Sequence, residues 1–507
     1  MKRKIGAILV FSCLVPHFAP ADTNLPTLLF GYLKNDLNLQ KYTLAAQSKA
    51  LDYDASKISN GISLTLSSGT VRIQSSSEGT RLTFTPSATL SVPQLHDTAL
   101  TATFPMTGRN GFSDDENGTF LDNGSVKVTT GIITSAPLKR KISLLEAERA
   151  YIEAERAVQT QALAVENEFY SNLKMLYNYV AGVLTAKNDL YDDELDLRVL
   201  EVQGYSKTSA SYRKKYLECQ SDRRTVNENL RRLERETAVF AVKCGVEFTR
   251  LFDPATFNPE KADEISGQAF SAVMEFLPME IPAVEMEDVL SYESGRYTKT
   301  ESAEWSKFIG DLKRESDYTM ELDAYLGYTF NESTSKYDTV DGGITFDWHG
   351  ITASAGVSVP TAQNLFPLES STGGKASKSP VYTFSLTLTP NIWRLASINK
   401  KQDDLNARID EIAVKSAADD YDTDIIDKLT KRGDLRWSQK SYAEEYDMYS
   451  QLEYDMDKWL AQGIVTRSDY LDAANNRDKA QINMLINAVE QIIYNNEVKL
   501  LFVKDKN

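Results

Sequence analysis

Two carboxylates stand close together near the start of a helix predicted toward the C-terminus. Asp469 and Asp472 are three residues apart, so both side chains project from one face of that helix. They also lie near the positive end of the helix dipole, which favours negative charge by ~0.3 kcal/mol or more for each carboxylate. Taken alone, the pair predicts first-turn acids that stabilise the helix.

No catalytic or metal-binding pattern stands beside these acids. The chain has no G-x-S-x-G segment and no phosphate-binding glycine loop after a strand. His96 and His349 are far apart and lack a Cys or carboxylate partner at metal-ligand spacing. The run from Asp192 to Glu194 predicts a solvated helix face. We therefore predict neither an enzyme nor a bound cofactor or metal.

The first 21 residues have the pattern of a secretory signal peptide. Three basic residues are followed by an apolar run over 5–15 and by Ala19-Pro20-Ala21, which predicts cleavage after Ala21. An apolar run of about eleven residues is too short to cross a bilayer core of ~30 Å as a helix. A lipoprotein signal acylated at Cys13 remains open, although Phe11 stands where such signals prefer a small residue.

Charge and hydropathy then limit the partners and the compartment. Loss of the signal peptide removes three basic and no acidic residues, so the formal charge changes from −16 to −19. Such a chain lacks the clustered cations that nucleic acid requires. Because no later apolar run reaches the ~18 residues of a spanning helix, the exported chain is either soluble in the periplasm or inserted as β-strands.

Four helical stretches dominate the rest of the sequence. Apolar residues recur at three-and-four spacing from about 137 to 203 and from about 393 to 460, and each of these helices would be about 100 Å long. Breaks at Gly204 and Gly463 precede return helices at about 208–243 and 468–503, the former ending at Gly245. The sequence therefore predicts two long antiparallel helical hairpins. Cys219 and Cys244 on one helix would be nearly 40 Å apart, which excludes a disulfide between them.

The two hairpins belong to a larger repeat. The breaks at Gly204 and Gly463 are 259 residues apart, and a shorter helix and strands precede each hairpin at a similar offset. We predict a first repeat over 22–250, a linker or equatorial segment over 251–300 and a second repeat over 301–507. The shorter helices are predicted at about 27–59 and 302–318.

The segments at about 62–134 and 320–390 change to a period of two. Apolar residues alternate there with Ser and Thr, as in LTLSSGTVRI and YTFSLTLT, and up to eight such runs are present. Alternation with small polar residues suits a barrel with one face toward lipid and one toward a lumen. A soluble β-sandwich that carries a coiled-coil stalk is the alternative for any one strand.

The last hairpin resembles the TolC family of outer-membrane efflux proteins. In QGIVTRSDYLDAANNRDKAQ the positions Gly463, Asp469, Leu471, Asp472 and Ala473 match the family's tip motif. TFSLTLTPNIWRLASINKKQ resembles its passage from strand to helix, with Pro390 ending the strand. The first tip, QGYSKTSASYRKKYLECQ, departs from the motif because it lacks the acids.

The resemblance implies an α+β membrane protein, a homotrimeric duct in which an outer-membrane β-barrel continues into a long periplasmic α-helical barrel. It implies passive export of small molecules, peptides or proteins, with a periplasmic adaptor and an inner-membrane transporter as partners in a tripartite efflux or type I secretion system. Asp469 and Asp472 would form a ring of acids at the entrance, and the hairpin tips at Gly204, Gly463, Leu471 and Ala473 would dock the adaptor.

Two further readings stay open. Arg213, Lys214 and Lys215 on the first tip could pair with the acids of the second tip and hold a duct shut, although exposed cations are usually solvated. The rival function is a soluble periplasmic coiled-coil protein, such as an adaptor, but adaptors carry one hairpin and this chain has two.

Overall fold

A computed structural model describes ten stretches of the chain: 24–76, 79–110, 118–121, 123–252, 262–318, 320–331, 337–348, 350–361, 378–388 and 392–503. The predicted signal peptide and Pro390 lie outside them. The described residues divide into two compact units. An all-helical unit contains the residues up to Lys41, Val158–Glu293 and those from Thr423 on, and a sheet unit contains Tyr42–Ala157 and Ser294–Asp422.

Eight α-helices account for most of the described chain. Their bounds are α1 Leu25–Asn35, α2 Leu37–Ser59, α3 Ala136–Val202, α4 Ala210–Cys244, α5 Ala262–Phe276, α6 Thr298–Tyr318, α7 Ile392–Ala461 and α8 Arg467–Leu501. With 67 and 70 residues, α3 and α7 are each about 100 Å long at 1.5 Å per residue. Both run from the sheet unit into the all-helical unit.

The long helices begin and end close to where the periodicity predicts them, and the first helix does not. Gly245 caps α4 in the left-handed conformation with φ +70°, as expected for that glycine. The single helix predicted at about 27–59 is two helices. Asp36 separates them because its backbone is extended and its carboxylate accepts the N–H of Leu39, which caps α2.

Side-chain contacts order the four long helices of the all-helical unit as α4, α3, α8, α7. Lys215 of α4 bonds to Asp193 of α3 at 2.8 Å. Between α3 and α8, the amide of Asn475 donates to Asn188 at 2.7 Å. Lys431 of α7 then pairs with Glu497 of α8 at 2.9 Å. The result is a single layer of antiparallel neighbours with α4 and α7 at its two edges.

One face of this layer is covered by the shorter helices. Tyr32 of α1, Phe169 of α3, Phe240 of α4 and Val273 of α5 are buried together in one apolar cluster. Gly31 lies so close to α4 that a Cβ there would be 2.0 Å from the carbonyl oxygen of Cys244. The close packing of α1 on α4 therefore requires a glycine at this position.

The described part of the sheet unit holds twelve strands in two sheets. Their bounds are β1 Ser63–Ser67, β2 Arg72–Ser76, β3 Gly79–Phe84, β4 Ser87–Val92, β5 Thr98–Thr103, β6 Met106–Asn110, β7 Gly118–Leu121, β8 Ser125–Ile133, β9 Glu321–Thr329, β10 Thr339–Trp348, β11 Ile351–Pro360 and β12 Val381–Leu388. Eight form an antiparallel sheet in the order β1-β4-β5-β8-β9-β10-β11-β12, and β2-β3-β6-β7 form the second sheet. The first half of the chain thus supplies hairpins that pass from one sheet into the other.

Gly69 lies where the first hairpin passes between the sheets. Its φ is +63°, and a Cβ there would be 2.2 Å from the carbonyl oxygen of Thr85, which lies between β3 and β4. Only glycine adopts this backbone readily at such a distance. β1 follows α2 and β8 precedes α3, so the strands next to the helices in the chain belong to the eight-stranded sheet. The second sheet is formed by the turn ends of the two hairpins.

The eight-stranded sheet has two chemically different faces. Leu64, Leu90, Leu100, Val128 and Leu326 are paired in register across five successive strands, so they share one face. This apolar row is exposed, with Leu64 and Leu326 more than 60% accessible. The row one residue along lies on the opposite face and reads Thr65, Thr89, Thr101, Lys127, Gly327, Asp341 and Ser358.

Within the described residues, no helix combines the length and the apolar character needed to cross a membrane.

Candidate functional site at the hairpin tips

Each long hairpin turns at a glycine. Gly204 and Gly463 have φ of +78° and +72°, in the left-handed region that favours glycine, and a Cβ at either would meet open space. The chain returns into α4 after Ser209 and into α8 after Thr466, and both residues cap their helices with a side-chain oxygen. The tips are therefore exposed turns between well-capped helices.

The side chain of Asp469 caps the N-terminus of α8. Its carboxylate accepts the backbone N–H of Thr466 at 2.8 Å, and the Thr466 hydroxyl accepts the N–H of Asp469 at 3.1 Å. This reciprocal capping box satisfies two backbone donors that the helix itself cannot pair. The structure thus gives Asp469 the helix-stabilising role expected for a first-turn acid.

Asp472 lies one turn farther along, half-buried against α3. Burial raises the pKa of this carboxyl, and the charges of Asp192 on α3 and of Asp469 raise it further. The amide of Asn476 donates to it at 3.0 Å and partly offsets these effects. Asp472 therefore carries charge at a free-energy cost in the packed hairpins.

Leu471 and Ala473, the apolar residues of the tip motif, lie on either side of Asp472 in the sequence. Ala473 is only 2% exposed, and Leu471 is half-buried. A small residue at 473 fits a closely packed helix contact, so this position contributes to the packing of the hairpins. Leu471 keeps part of its surface accessible near the tip.

One basic residue of the first tip, Lys215, does not pair with the acids of the second tip as the sequence hypothesis suggested. Lys215 lies within 2.8 Å of both Asp193 and Asp196, and these bonds raise its pKa. It is thus paired with acids of its own hairpin and not with Asp469 or Asp472. Its neighbour Lys214 has a side chain 81% exposed.

The acidic run on α3 was predicted as a solvated face; Asp192 is exposed, and the prediction is wrong for Asp193 and Glu194. Asp193 bonds to Lys215, and Glu194 bonds to Arg223 of α4 at 2.8 Å. The partners lie 22 and 29 residues away, on the other arm of the hairpin. The spacing of residues within α3 could not predict these ion pairs, because their basic partners are on α4.

Sequence reasoning also missed a set of amides that joins α3 to α8. Asn475 donates to Asn188 at 2.7 Å, and Asn188 donates to Asn476 at 3.3 Å. Two consecutive asparagines inside a helix are unfavourable by propensity. Asn475-Asn476 was therefore the available signal that these side chains bond to another helix.

Among the residues that the structure describes, no three His, Cys, Asp or Glu side chains are placed to hold a metal ion.

Comparison with protein families matches nearly the whole chain. The TP096X N-terminal domain matches residues 28–281, and the TP096X C-terminal domain matches residues 282–505. The chain belongs to the TP096X family. The two TP096X domains meet within the segment predicted as a linker, and each contains strands followed by one long helical hairpin. Comparison with curated proteins finds no match.

Several solved structures are similar to this TP096X chain over most of its length. The Neisseria gonorrhoeae MtrE outer membrane channel in its open state is 12% identical, with a TM-score of 0.47 and coverage of 95% of this chain and 89% of that one. The Campylobacter jejuni CmeC outer membrane channel is 10% identical, with a TM-score of 0.44 and coverage of 96% and 87%.

The outer membrane protein VceC from Vibrio cholerae is 11% identical, with a TM-score of 0.43 and coverage of 94% of this chain and 96% of that one. All three are outer-membrane proteins.

Proposed function

We propose that the chain is one subunit of a TolC-like outer-membrane channel, a passive exit duct formed by three copies. The observation that carries the proposal is the eight-stranded sheet with one apolar and one polar face. An exposed apolar row over five strands is costly in water and favourable against lipid tails. The polar face would line the lumen.

The ends of the sheet support closure between copies. β1 and β12 are its edge strands, and the eight strands alternate in direction, so β12 of one copy can meet β1 of the next in antiparallel fashion. Rotational symmetry allows this only because the number of strands is even. The helical layer also has two edges, α4 and α7, so α7 of one copy can likewise meet α4 of the next.

The rival proposal, a soluble periplasmic coiled-coil protein or adaptor, explains the hairpins but not the sheet. Such a protein would expose Leu66, Phe384 and Leu386 to water, and each of these side chains is more than 65% accessible. Soluble proteins rarely expose a contiguous apolar surface of this kind. The duct gives that surface a lipid environment.

In this duct the helical hairpins extend into the periplasm, and the chain reaches the outer membrane after loss of residues 1–21. The two halves, over 22–250 and 301–507, arose by duplication, with 251–300 as an equatorial segment between them. Pro390, which follows β12 and precedes α7 in the sequence, would end the strand at this passage.

The tips would form the periplasmic entrance. Asp469 and Asp472 of three copies would place a ring of acids there, and this ring would favour cations. A periplasmic adaptor would dock at Gly204, Gly463, Leu471 and Ala473, and an inner-membrane transporter would supply the energy, as in tripartite efflux or type I secretion. The cargo would be small toxic molecules, peptides or secreted proteins.

Planar bilayers test the duct and its entrance together. Protein extracted from membranes with detergent should migrate as a heat-sensitive trimer and give discrete conductance steps that multivalent cations block. The double variant Asp469→Asn with Asp472→Asn should need about tenfold more cation for the same block. A control variant Asp447→Asn, at an exposed acid away from the tip, should be blocked like the wild type.

Recovery of the chain as a soluble monomer from osmotic shock fluid would refute the duct. Unchanged block in the double variant would remove the two acids from the entrance and leave the duct standing.

A further inference from the structure

A groove of about 640 Å³ lies between α3, α8 and α7 in the all-helical unit. On α3, Ser171 and Asn178 line it, whereas Leu173 and Val180 are buried in the apolar cluster that α1 and α5 share. At about 100° per residue the two pairs lie on opposite sides of α3. The groove therefore opens on the face of the layer that α1 and α5 leave uncovered. Its size suits a small ligand, since such sites have roughly 300–1,000 Å³.

One end of the groove has an excess of positive charge. Glu497 of α8 accepts ion pairs from two lysines of α7, Lys428 at 2.6 Å and Lys431 at 2.9 Å. A single carboxylate neutralises only one of them. Lys431 lines the groove, so its ammonium is within reach of a ligand that carries an anion.

A free carboxylate lies three residues from this lysine. Asp434 lines the groove and is exposed, and it bonds to none of the side chains that the structure describes. Side chains three residues apart on a helix have Cβ atoms ~5–6 Å apart. Lys431 and Asp434 thus offer one charge of each sign at a short, fixed separation. The opposite wall is neutral, because Lys174 of α3 pairs with Glu490 of α8.

Apolar side chains line the rest of the groove. Met175 of α3, Leu435 of α7 and Ile493 of α8 contribute to it, and Leu435 is only 6% exposed. A ligand with apolar groups would remove part of this surface from water.

We propose that this groove binds a short peptide with free ends and apolar side chains, in its simplest form a dipeptide. The ammonium end pairs with Asp434, the carboxylate end with Lys431, and the side chains pack on Leu435 and Ile493. A simple cation or a simple anion would leave one of the two charged residues without a partner. The inference rests on the proposed function for its role, since it names a class of cargo that the duct would hold on its way out.

Three forms of one dipeptide test the recognition of both ends. The probes are Leu-Leu, its C-terminal amide and its N-acetyl derivative, titrated calorimetrically into the detergent-solubilised protein. Leu-Leu should bind best, and each blocked form should bind about tenfold more weakly, because it loses one charge-assisted contact.

Two variants should change these affinities in a crossed pattern. Asp434→Asn should weaken Leu-Leu about tenfold and leave the N-acetyl form unchanged, since that form has no ammonium. Lys431→Met should weaken Leu-Leu and leave the amide unchanged, while Lys428 still pairs with Glu497. A general loss of folding would weaken all three ligands alike.

Further variants locate the site. Asp447→Asn changes an exposed acid on another side of α7 and should bind Leu-Leu like the wild type. Ser171→Phe should abolish binding because the new ring occupies the groove. Asp469→Asn with Asp472→Asn should not affect it, because Asp469 and Glu490 are 21 residues apart on α8, or ~30 Å. Circular dichroism checks that each variant keeps its helix content.

The outcomes separate this inference from the proposed function. Equal binding of the three dipeptide forms, or an equal loss in Asp447→Asn and Asp434→Asn, would refute the site. A conducting, heat-sensitive trimer that does not bind Leu-Leu would refute only the site. A soluble monomer that binds Leu-Leu in the crossed pattern would refute the duct and leave the site standing.

Discussion

Glu234 is a carboxylate that lies almost wholly inside the all-helical unit. It is 1% exposed and accepts the backbone N–H groups of Leu251 and Phe252, the latter at 3.1 Å. These bonds hold the segment that follows α4 against the helix. A buried charge is tolerated here because backbone donors replace its water.

Replacing this carboxylate tests its structural role. Glu234→Gln keeps one acceptor oxygen but loses the charge and places amide hydrogens against backbone donors, which should cost about 1–3 kcal/mol. The thermal midpoint, followed by circular dichroism in detergent, should fall. Glu247→Gln, at an exposed acid of the same segment, is the control and should leave the midpoint within error. Equal midpoints for both variants would contradict the anchoring role.

Removing the charge of Asp472 should raise the thermal midpoint, whereas removing that of Glu234 should lower it. Burial and the charges of Asp192 and Asp469 raise the pKa of its carboxyl, so its ionisation opposes the packed state. This penalty is present at neutral pH and disappears as the pH falls through the raised pKa. Asp472→Asn should therefore melt at a higher temperature than the wild type at pH 7, and the two should converge below about pH 4.

The control for this pH dependence is Asp457→Asn, which removes an exposed carboxylate near the same tip. A lower midpoint for Asp472→Asn at pH 7 would show that the charge of Asp472 stabilises the hairpin contact after all.

At the scale of elements, β12 has two chemically different sides from Tyr382 to Leu388. Tyr382, Phe384, Leu386 and Leu388 point to one side, while Thr383, Ser385 and Thr387 point to the other. All of these residues are exposed in the single chain. If the apolar side contacts lipid, a charge on that side should lower the stability of the assembled protein. A charge on the other side should not.

Leu386→Lys and Ser385→Lys separate these cases. The first should cost ~2–4 kcal/mol in a bilayer, and its yield of heat-sensitive oligomer in the outer-membrane fraction should drop. The second adds the same charge one residue away and should assemble normally. Equal yields would mean that the apolar face does not contact lipid.

Elements also differ in how far the sequence could predict them. The start of α3 was predicted within one residue, because helical periodicity and capping are local properties. The alternation over 62–134 predicted strands but not the division of each hairpin between two sheets. That division depends on pairing between strands that are distant in the chain, such as β3 with β6.

At the scale of the whole molecule, the sequence predicted two hairpins preceded by strands, and the described chain has that order of elements. The sequence indicated up to eight strand-like runs, and the described chain has eight neighbouring strands in one sheet and four more strands in a second sheet. The partners of Lys215 and of Asn475 were not predictable, because they lie on other helices. Tertiary contacts, not local pattern, decide such polar pairs.

The second sheet gives the two halves of the chain different exposure outside the cell in the proposed duct. Among the strands that the structure describes, those of the second sheet are β2, β3, β6 and β7, and all four come from the first half of the chain. In the proposed orientation these strands project past the bilayer. We expect antibodies and proteases acting on intact cells to recognise the first half of the chain in preference to the second.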